Sequence, residues 1–415
     1  MTLDQLALPK YIDTAIVGSG PHALTLATHL IQKSKKFCDK FLVLDPSGIW
    51  LNGWMKQFSA LQIPHLRSPV VHQPDPNPHA LSTFAENRQA ELFYPYDLPG
   101  TQIFQDFCTE LVQRWQLTTK VYAAQVIHLE ILERGYQLWL SNGKSIKARR
   151  VVLAHRGGVP YWPEWAINAQ NYSLDDSPPE KQCPRLQHSS QIDLAQIQAP
   201  RERILIIGGG LTSGHLAIGA MAAGAQVTMM HRREFYAKLF DADPGWLGPK
   251  YLKGFETNKN WAERSEIVKN ARNGGSLTPA IMSQLRQAEK AGKLFFSENC
   301  EVQQATWQDN HWLVTCHDRQ QLEFDRIWLA TGAQLHTSNE PLLSELQATY
   351  PTEIVGGLPV LEDHLRWPGS QVFVMGGLAA LRVGPTARNL SGARMASQRI
   401  VPALTKASVM SLKNS

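Results

Sequence analysis

The sequence predicts an α/β protein made of two Rossmann-type dinucleotide-binding domains, and three observations carry that expectation. An apolar strand, a glycine turn and a helix follow one another from Tyr11 to Leu30. The same unit recurs from Ile204 to Ala222. Each copy is followed by a run of alternating strands closing on a further apolar strand and glycine turn.

In the first copy, Thr14 to Val17 leads into Gly18-Ser19-Gly20-Pro21-His22-Ala23. Gly18 permits the tight turn, Gly20 lets the backbone approach a pyrophosphate, and the small Ala23 lets the helix pack close to the sheet. The free N–H groups at the helix start then face the anion. A second strand, Lys40 to Leu44, ends on Asp45-Pro46, where a carboxylate accepts the hydroxyls of an adenosine ribose. Val126, in the following strand run, is assigned to the same nucleotide.

The second copy reads Gly208-Gly209-Gly210-Leu211-Thr212-Ser213, with Ser213 in the third small position. Its next strand, Gln226 to Met230, ends in His231-Arg232-Arg233 instead of a carboxylate. Guanidinium groups there favour a 2′-phosphate, because they offer paired N–H donors to its oxygens. The first site therefore suits FAD and the second suits NADPH over NADH.

The strand runs are Val121 to Ile131, Tyr136 to Leu140 and Ser145 to Ala154, then Lys293 to Thr306, His311 to Cys316 and Gln321 to Ala330. They close on VVLAHRGG, from Val151, and IWLATGA, from Ile327. The polar stretch Ala166 to Arg203, with Pro178, Pro179, Pro184 and Pro200, reads as the crossing between domains. After the second unit come a strand, Gln371 to Met375, Gly376-Gly377 and a helix from about Thr386 to Ile400. Such a leftover piece completes the first domain. The expected layout is a discontinuous FAD-binding domain, 1–195 and 326–415, with an NADPH-binding domain, 196–325, inserted.

Composition bounds the function. A chain of 415 residues with a net charge of +5 is ordinary for a globular protein, and no segment is apolar for long enough to span a bilayer. The best candidate, Leu216 to Met230, is interrupted by Gln226 and Thr228. The start, MTLDQLALPK, lacks a secretory pattern, so a cytoplasmic location is expected. The clusters KSKK from Lys33 and KARR from Lys147 read as solvated faces rather than nucleic-acid contacts. The five cysteines, Cys38, Cys108, Cys183, Cys300 and Cys316, show no C-x-x-C spacing, which indicates neither a zinc site nor a redox dithiol. No metal is expected, and homo-oligomerisation stays open.

These motifs resemble the two-dinucleotide-domain flavoproteins of glutathione-reductase-like architecture. Within them the chain is similar to the class B flavin monooxygenases and their N-hydroxylating branch, the lysine and ornithine N-monooxygenases. The likeness runs from GSGPHA through LATGA, which holds Thr331 and Gly332, to the C-terminal helix, and includes His188-Ser189-Ser190. FDADPGWLGP from Phe240, GGLPVLEDHLRW from Gly356 and GLAALRVGPTARNLSGAR from Gly377 are also similar to the oxidative stress-induced growth inhibitor family.

The resemblance implies NADPH, FAD, O2 and a small-molecule substrate. Reduced flavin would form a C4a-hydroperoxide and pass an oxygen to a soft nitrogen or sulfur nucleophile. Gln62 falls on the branch's flavin-side glutamine, and Arg67 on a lysine that contacts substrate and nicotinamide. Ser68 replaces an aspartate, and Asp243 to Trp246 stands where the branch holds its amino-acid substrate. Trp50, Trp54 and Met55 would form a dry wall, because water speeds loss of peroxide. A helix beginning near Gly384-Pro385-Thr386 would point its positive end at the reduced ring. His22, His65 and His155 are candidates for proton handling, though a structural role is expected for each. The alternatives are an NADPH-oxidising flavin sensor without a dedicated substrate, which His155-Arg156 slightly favours, and a quinone reductase.

Overall fold

The computed structural model describes residues 8–406 except 156, 173–184 and 273, and leaves the side chains at 171 and 172 aside. Arg156, Cys183, Pro178, Pro179 and Pro184 therefore lie outside the described residues.

The chain opens with β1 (Tyr11–Val17), α1 (Pro21–Lys33) and β2 (Phe41–Asp45). Residues Ala15 and Ile16 are fully buried although they point to opposite faces. Such continuous burial is what a parallel strand covered on both faces requires. In α1, Pro21 sits in the first turn, where its missing N–H costs nothing, and Leu24, Leu26, Ala27 and Leu30 are fully buried. Next come α2 (Asn52–Ala60), α3 (Thr101–Arg114), β3 (Val121–Ala123), β4 (Val126–Ile131), β5 (Tyr136–Leu140) and β6 (Ser145–Leu153). The first sheet runs β3-β2-β1-β6-β5-β4. Its inner strands are parallel, and β4, β5 and β6 form the antiparallel meander.

The second sheet begins earlier in the chain than the sequence suggests. Helix α4 (Glu164–Tyr172) buries Ala166 and Ala169 in a cluster with Leu205 and Ile327, and β7 (Leu186–His188) pairs with a strand from 326–329. The expected crossing at 166–203 thus carries elements of the second unit, and the boundaries at 195/196 and 325/326 both cut through one sheet. Polar, proline-rich composition concealed a helix with small buried residues.

Then follow β8 (Arg203–Ile207), α5 (Leu211–Ala222), β9 (Gln226–His231), α6 (Trp261–Ala271), α7 (Pro279–Lys290) and β10 (Leu294–Glu298). After them come β11 (Val302–Gln308), β12 (His311–Cys316), β13 (Gln321–Phe324) and β14 (Arg326–Leu329). The second sheet, β7-β14-β8-β9-β10, is parallel throughout. Ile204 and Ile206 pack on one face and Leu205 on the other, in separate apolar clusters. The expected single strand Lys293 to Thr306 is two strands. Asn299, at φ +55, takes the left-handed conformation that Asn tolerates and turns the chain out of the parallel sheet into the three-stranded β11-β12-β13.

Beyond it, β15 (Val372–Val374) pairs in parallel with β6, returning the chain to the first sheet, and α8 (Leu390–Thr405) packs along α1. This helix starts at Leu390, not near Thr386. Gly384, at φ +95, ends a short preceding helix, and the N–H of Asn389 donates to the Thr386 carbonyl at 2.8 Å, making 385–389 a turn. No helix among the described residues is long and apolar enough to cross a membrane.

Two buried histidines make stability sensitive to acid. Burial brings His29 of α1 down to about 4, and burial with the nearby His65 does the same to His215 of α5. Both are therefore neutral in the folded chain at pH 7, and unfolding releases them to take up protons below their ordinary value near 6.5. Stability is fully present above that value and is lost as pH falls toward 4, by about 1–2 kcal/mol per histidine between pH 7 and 5. Urea denaturation across that range checks this, and a flat profile contradicts it.

Candidate functional site

The two glycine turns sit at the carboxyl ends of β1 and β8, where open parallel sheets place ligands. Gly18 is at φ +97, and a Cβ there would lie 2.6 Å from His155 Cα. Gly208 is at φ +137, with a Cβ meeting the Ala330 carbonyl oxygen at 2.5 Å. Neither position admits a side chain. Gly20 and Gly210 are the N-caps of α1 and α5, and neither helix has a side-chain cap or an acidic residue in its first turn. Asn260 caps α6 and Thr278 caps α7, whereas α2, α3 and α8 also start without a side-chain cap, so what sets α1 and α5 apart is the glycine turn that brings each start to the end of a parallel strand. The first-turn N–H groups of α1 and α5 are thus left for an outside acceptor.

The first turn is held by a dense local network. Asp45 accepts from the Ser19 N–H at 3.1 Å on one oxygen, and from the Ser47 N–H at 2.9 Å and hydroxyl at 2.5 Å on the other. Its carboxylate is oriented yet only half-buried, and Pro46 beside it is exposed. Ser19 donates its hydroxyl to the Ile49 carbonyl, and its own carbonyl accepts the Leu51 N–H. Ala23 is fully buried. His22 Nε2–H donates to the Ala387 carbonyl at 3.0 Å, which ties α1 to the turn before α8, and burial lowers its pKa. Beside that contact, the buried Thr386 hydroxyl has no hydrogen-bond partner among the described residues. Around Gly20 an added Cβ would meet nothing within 4 Å. An open cradle of donors and an orphaned buried hydroxyl fit a phosphate-bearing cofactor.

The second turn is more enclosed. Gly275 approaches Gly210 so closely that a Cβ on Gly275 would stand 3.1 Å from Gly210 Cα. Ser213 donates its hydroxyl to the Gly210 carbonyl at 2.6 Å, while Leu211 and Thr212 are half-buried. Arg232 is exposed, and the Arg233 guanidinium lies against Gly274. His188 of β7 places Nε2 3.0 Å from the Gly332 carbonyl, so the His188-Ser189-Ser190 and Thr331-Gly332 segments meet. Thr331 donates its hydroxyl to the Tyr161 carbonyl at 2.5 Å.

Several expected site residues do other work. Trp50 is 6% exposed and donates its indole N–H to the Leu117 carbonyl at 2.9 Å, so it is core rather than pocket wall. Val126 is likewise a core residue, while Ala124 donates to the Asp45 carbonyl and Ala123 lies against Gly48. Gln62 is exposed at φ +49, in the turn that follows α2. Trp54 stacks on Phe58 at 3.9 Å and tilts against Phe104, and Met55 is half-buried beside them. Arg67 spends its guanidinium on the second unit, donating to the carbonyls of Leu239 at 2.7 Å, Lys238 at 2.6 Å and Ser276 at 3.3 Å, and to the Ser276 hydroxyl at 2.8 Å. His65 and His155 have structural partners, the Leu66 carbonyl and the Glu340 carboxylate.

The segment 61–67 therefore docks the two units. Leu61 is buried in the second unit's core and Ile63 packs on it. Around Arg67 lies a polar cluster that motif comparison missed. Arg272 donates to Asp241 at 2.7 Å and to the Pro385 carbonyl at 3.2 Å, and the Asn389 amide donates to Asp241 at 3.2 Å. Burial alone would raise the Asp241 carboxyl, but Arg272, Arg67 and Asn389 outweigh it and hold it below its ordinary value. A signal was available, since Asp241 and Asn389 fall in the FDADPGWLGP and GPTARNLSG stretches. Among the described residues no group of His, Cys, Asp and Glu is placed to hold a metal ion.

The two glycines of the first turn should respond differently to alanine. Gly18→Ala forces a Cβ against backbone at positive φ and should cost about 2–4 kcal/mol of stability. Gly20→Ala meets open space and should cost about 1 kcal/mol or less, yet its methyl group stands in the cradle and should weaken FAD affinity at least tenfold. Urea denaturation and flavin titration separate the two effects, and wild-type FAD affinity in Gly20→Ala contradicts the cradle.

Residues 15–156 match the family described as FAD-NAD(P)-binding. No curated protein matches the sequence. Among solved structures, ornithine hydroxylase from Pseudomonas aeruginosa is 17% identical with a TM-score of 0.75, over 95% of this chain and 98% of that one. An ornithine N-hydroxylase from a Kutzneria species, with reduced FAD, NADP+ and L-ornithine, is 17% identical with a TM-score of 0.76, over 95% and 99%. Bacillithiol disulfide reductase from Staphylococcus aureus is 14% identical with a TM-score of 0.63, over 95% and 98%. Residues 15–156 thus match an FAD-NAD(P)-binding family, and over nearly its whole length the chain shares the fold of these ornithine hydroxylases and of bacillithiol disulfide reductase.

Proposed function

We propose that this protein is an FAD-dependent, NADPH-using monooxygenase that adds one oxygen atom to a soft nitrogen or sulfur nucleophile. The observation that carries the reading is the pair of glycine turns, each opening an uncapped helix at the end of a parallel strand, on two sheets docked through 61–67. The fold neighbours named for ornithine hydroxylation support the reaction class. When bound, flavin reduced by NADPH supplies the activated oxygen.

The chain's residues bind, orient and exclude. The N–H groups beyond Gly20 take the pyrophosphate of FAD, Asp45 accepts the ribose hydroxyls, and Ser19 and Ser47 keep its carboxylate aimed. Gly384-Pro385-Thr386 offers the buried Thr386 hydroxyl, next to the Ala387 carbonyl that His22 reaches. Arg232 and Arg233 take the 2′-phosphate of NADPH. The N–H groups beyond Gly210 would hold its pyrophosphate, with Gly275 close beside them and Arg67 tying the neighbouring Ser276 to the first unit. Trp54, Met55 and Phe58 present apolar surface that holds water off the reacting face. The layout is a discontinuous FAD domain, closed by β15 and α8, around an NADPH domain.

One observation favours a second reading, NADPH oxidation without a dedicated substrate. Gln62 faces solvent and Arg67 is spent on docking, so the two positions resembling flavin- and substrate-contacting residues are turned to other uses. A screen of primary amines, diamines, hydroxy-amines and thioethers decides between the readings. The monooxygenase predicts one class that yields a product heavier by one oxygen while peroxide release falls. Peroxide formed one-for-one with NADPH, whatever is added, establishes the oxidase instead.

A further inference from the structure

Cys300 and Cys316 are far apart in sequence but meet in the second unit. The left-handed turn at Asn299 carries Cys300 out of the parallel sheet. Two residues later Val302 pairs with Cys316 at the end of β12, and the His317 N–H donates to the Glu301 carbonyl at 3.0 Å. Cys316 is fully buried, whereas Cys300 is partly exposed and packs on the apolar cluster that contains Cys316. Burial, and then contact with the Cys300 side chain, push the Cys316 thiol up to about 12. The pair is thus reached from solvent on one side only.

A short path joins this pair to the second glycine turn. The Cys300 N–H donates to the His231 carbonyl at 3.1 Å. The His231 imidazole lies against Gly209, where an added Cβ would stand 2.7 Å from ring Nδ1. Arg232 and Arg233 follow directly.

We propose that Cys300 and Cys316 form a hydroperoxide-sensitive dithiol whose oxidation to a disulfide weakens dinucleotide binding at the Gly208–Gly210 turn. The effect on the nucleotide rests on the NADPH reading above, whereas the disulfide itself does not. The oxidant is hydrogen peroxide. Cys300, losing its proton, attacks one peroxide oxygen, the O–O bond breaks, and the departing hydroxide takes that proton to leave as water. The resulting sulfenic acid meets Cys316, which gives up its proton and attacks the Cys300 sulfur. The S–S bond forms, the S–O bond breaks, and a second water leaves. Two thiols are oxidised and one peroxide is reduced to two waters. Exposure assigns the order, since peroxide reaches Cys300 first. A bond of fixed length between the thiols then constrains Cys300 on the far side of the Asn299 turn, and its hydrogen bond to His231 transmits the change.

The test uses the reduced full-length protein treated with hydrogen peroxide and digested without reductant. Trypsin releases both cysteines in one peptide, Leu294 to Arg319. The expected product is that peptide lighter by two hydrogens, with NADPH affinity reduced about fivefold or more and both reversed by dithiothreitol. Cys300→Ser should abolish the peptide change and the peroxide effect while binding NADPH like the reduced wild type. A peptide that only gains oxygen atoms overturns the proposal, as does an affinity loss that persists in Cys300→Ser. A disulfide with unchanged NADPH affinity overturns the coupling. Reduced protein that binds no NADPH overturns the functional reading, and the peptide mass still decides the thiol pair.

Discussion

Free backbone donors at the starts of α1 and α5 set the terms for the structure around them. A helix start exposes up to four N–H groups without intrahelical partners, and a side-chain cap can silence one or two of them. Here both helices begin on glycine without a side-chain cap. An anion placed there gains about 0.3–2 kcal/mol from the helix dipole alone, besides its hydrogen bonds. The neighbouring features serve this opening. Gly18 lets His155 close behind the turn, Asp45 is clamped by Ser19 and Ser47, and the Ala387 carbonyl is fixed by His22. The cradle is rigid because its walls are hydrogen-bonded to one another.

Repeating the unit creates a second demand, which is to hold two dinucleotide grooves in register. The segment after α2 meets it. Leu61 and Ile63 are apolar enough to enter the second unit's core, and Arg67 reaches across to three carbonyls and a hydroxyl. The planar guanidinium can satisfy several acceptors at once, which a lysine ammonium in the same place would do with less geometric definition. Arg272, Asp241 and Asn389 extend the bracket to the turn before α8. A charge in that cluster is therefore felt by both units.

The parts of this architecture that depend on local backbone geometry were legible in the sequence. Strand, glycine turn and helix were readable at both copies because left-handed φ and close packing restrict those positions to glycine whatever the rest of the chain does. The parallel strands were readable from their unbroken apolar runs. What escaped depended on tertiary partners. Trp50 looked like pocket wall beside Trp54 and Met55, yet it lies ahead of α2, where the Leu117 carbonyl draws its indole inward. The strand Leu186–His188 was hidden in polar sequence because its pairing partner lies about 140 residues away, a separation no local pattern reveals. Cys300 and Cys316 belong to the same class, since a hairpin and not a motif brings them together. Arg67 matched a family position by sequence, but only the fold shows that its donors are already committed.

The central claim is that one groove holds a flavin and the other a 2′-phosphorylated nicotinamide close enough to react. Anaerobic titration of the FAD-reconstituted protein with NADPH, followed in the visible flavin band, tests it most directly. The account predicts stoichiometric flavin retention, bleaching by NADPH far more readily than by NADH, and return of the band on admitting air. A protein that retains no flavin, or whose bound flavin keeps its colour under excess NADPH, would contradict it.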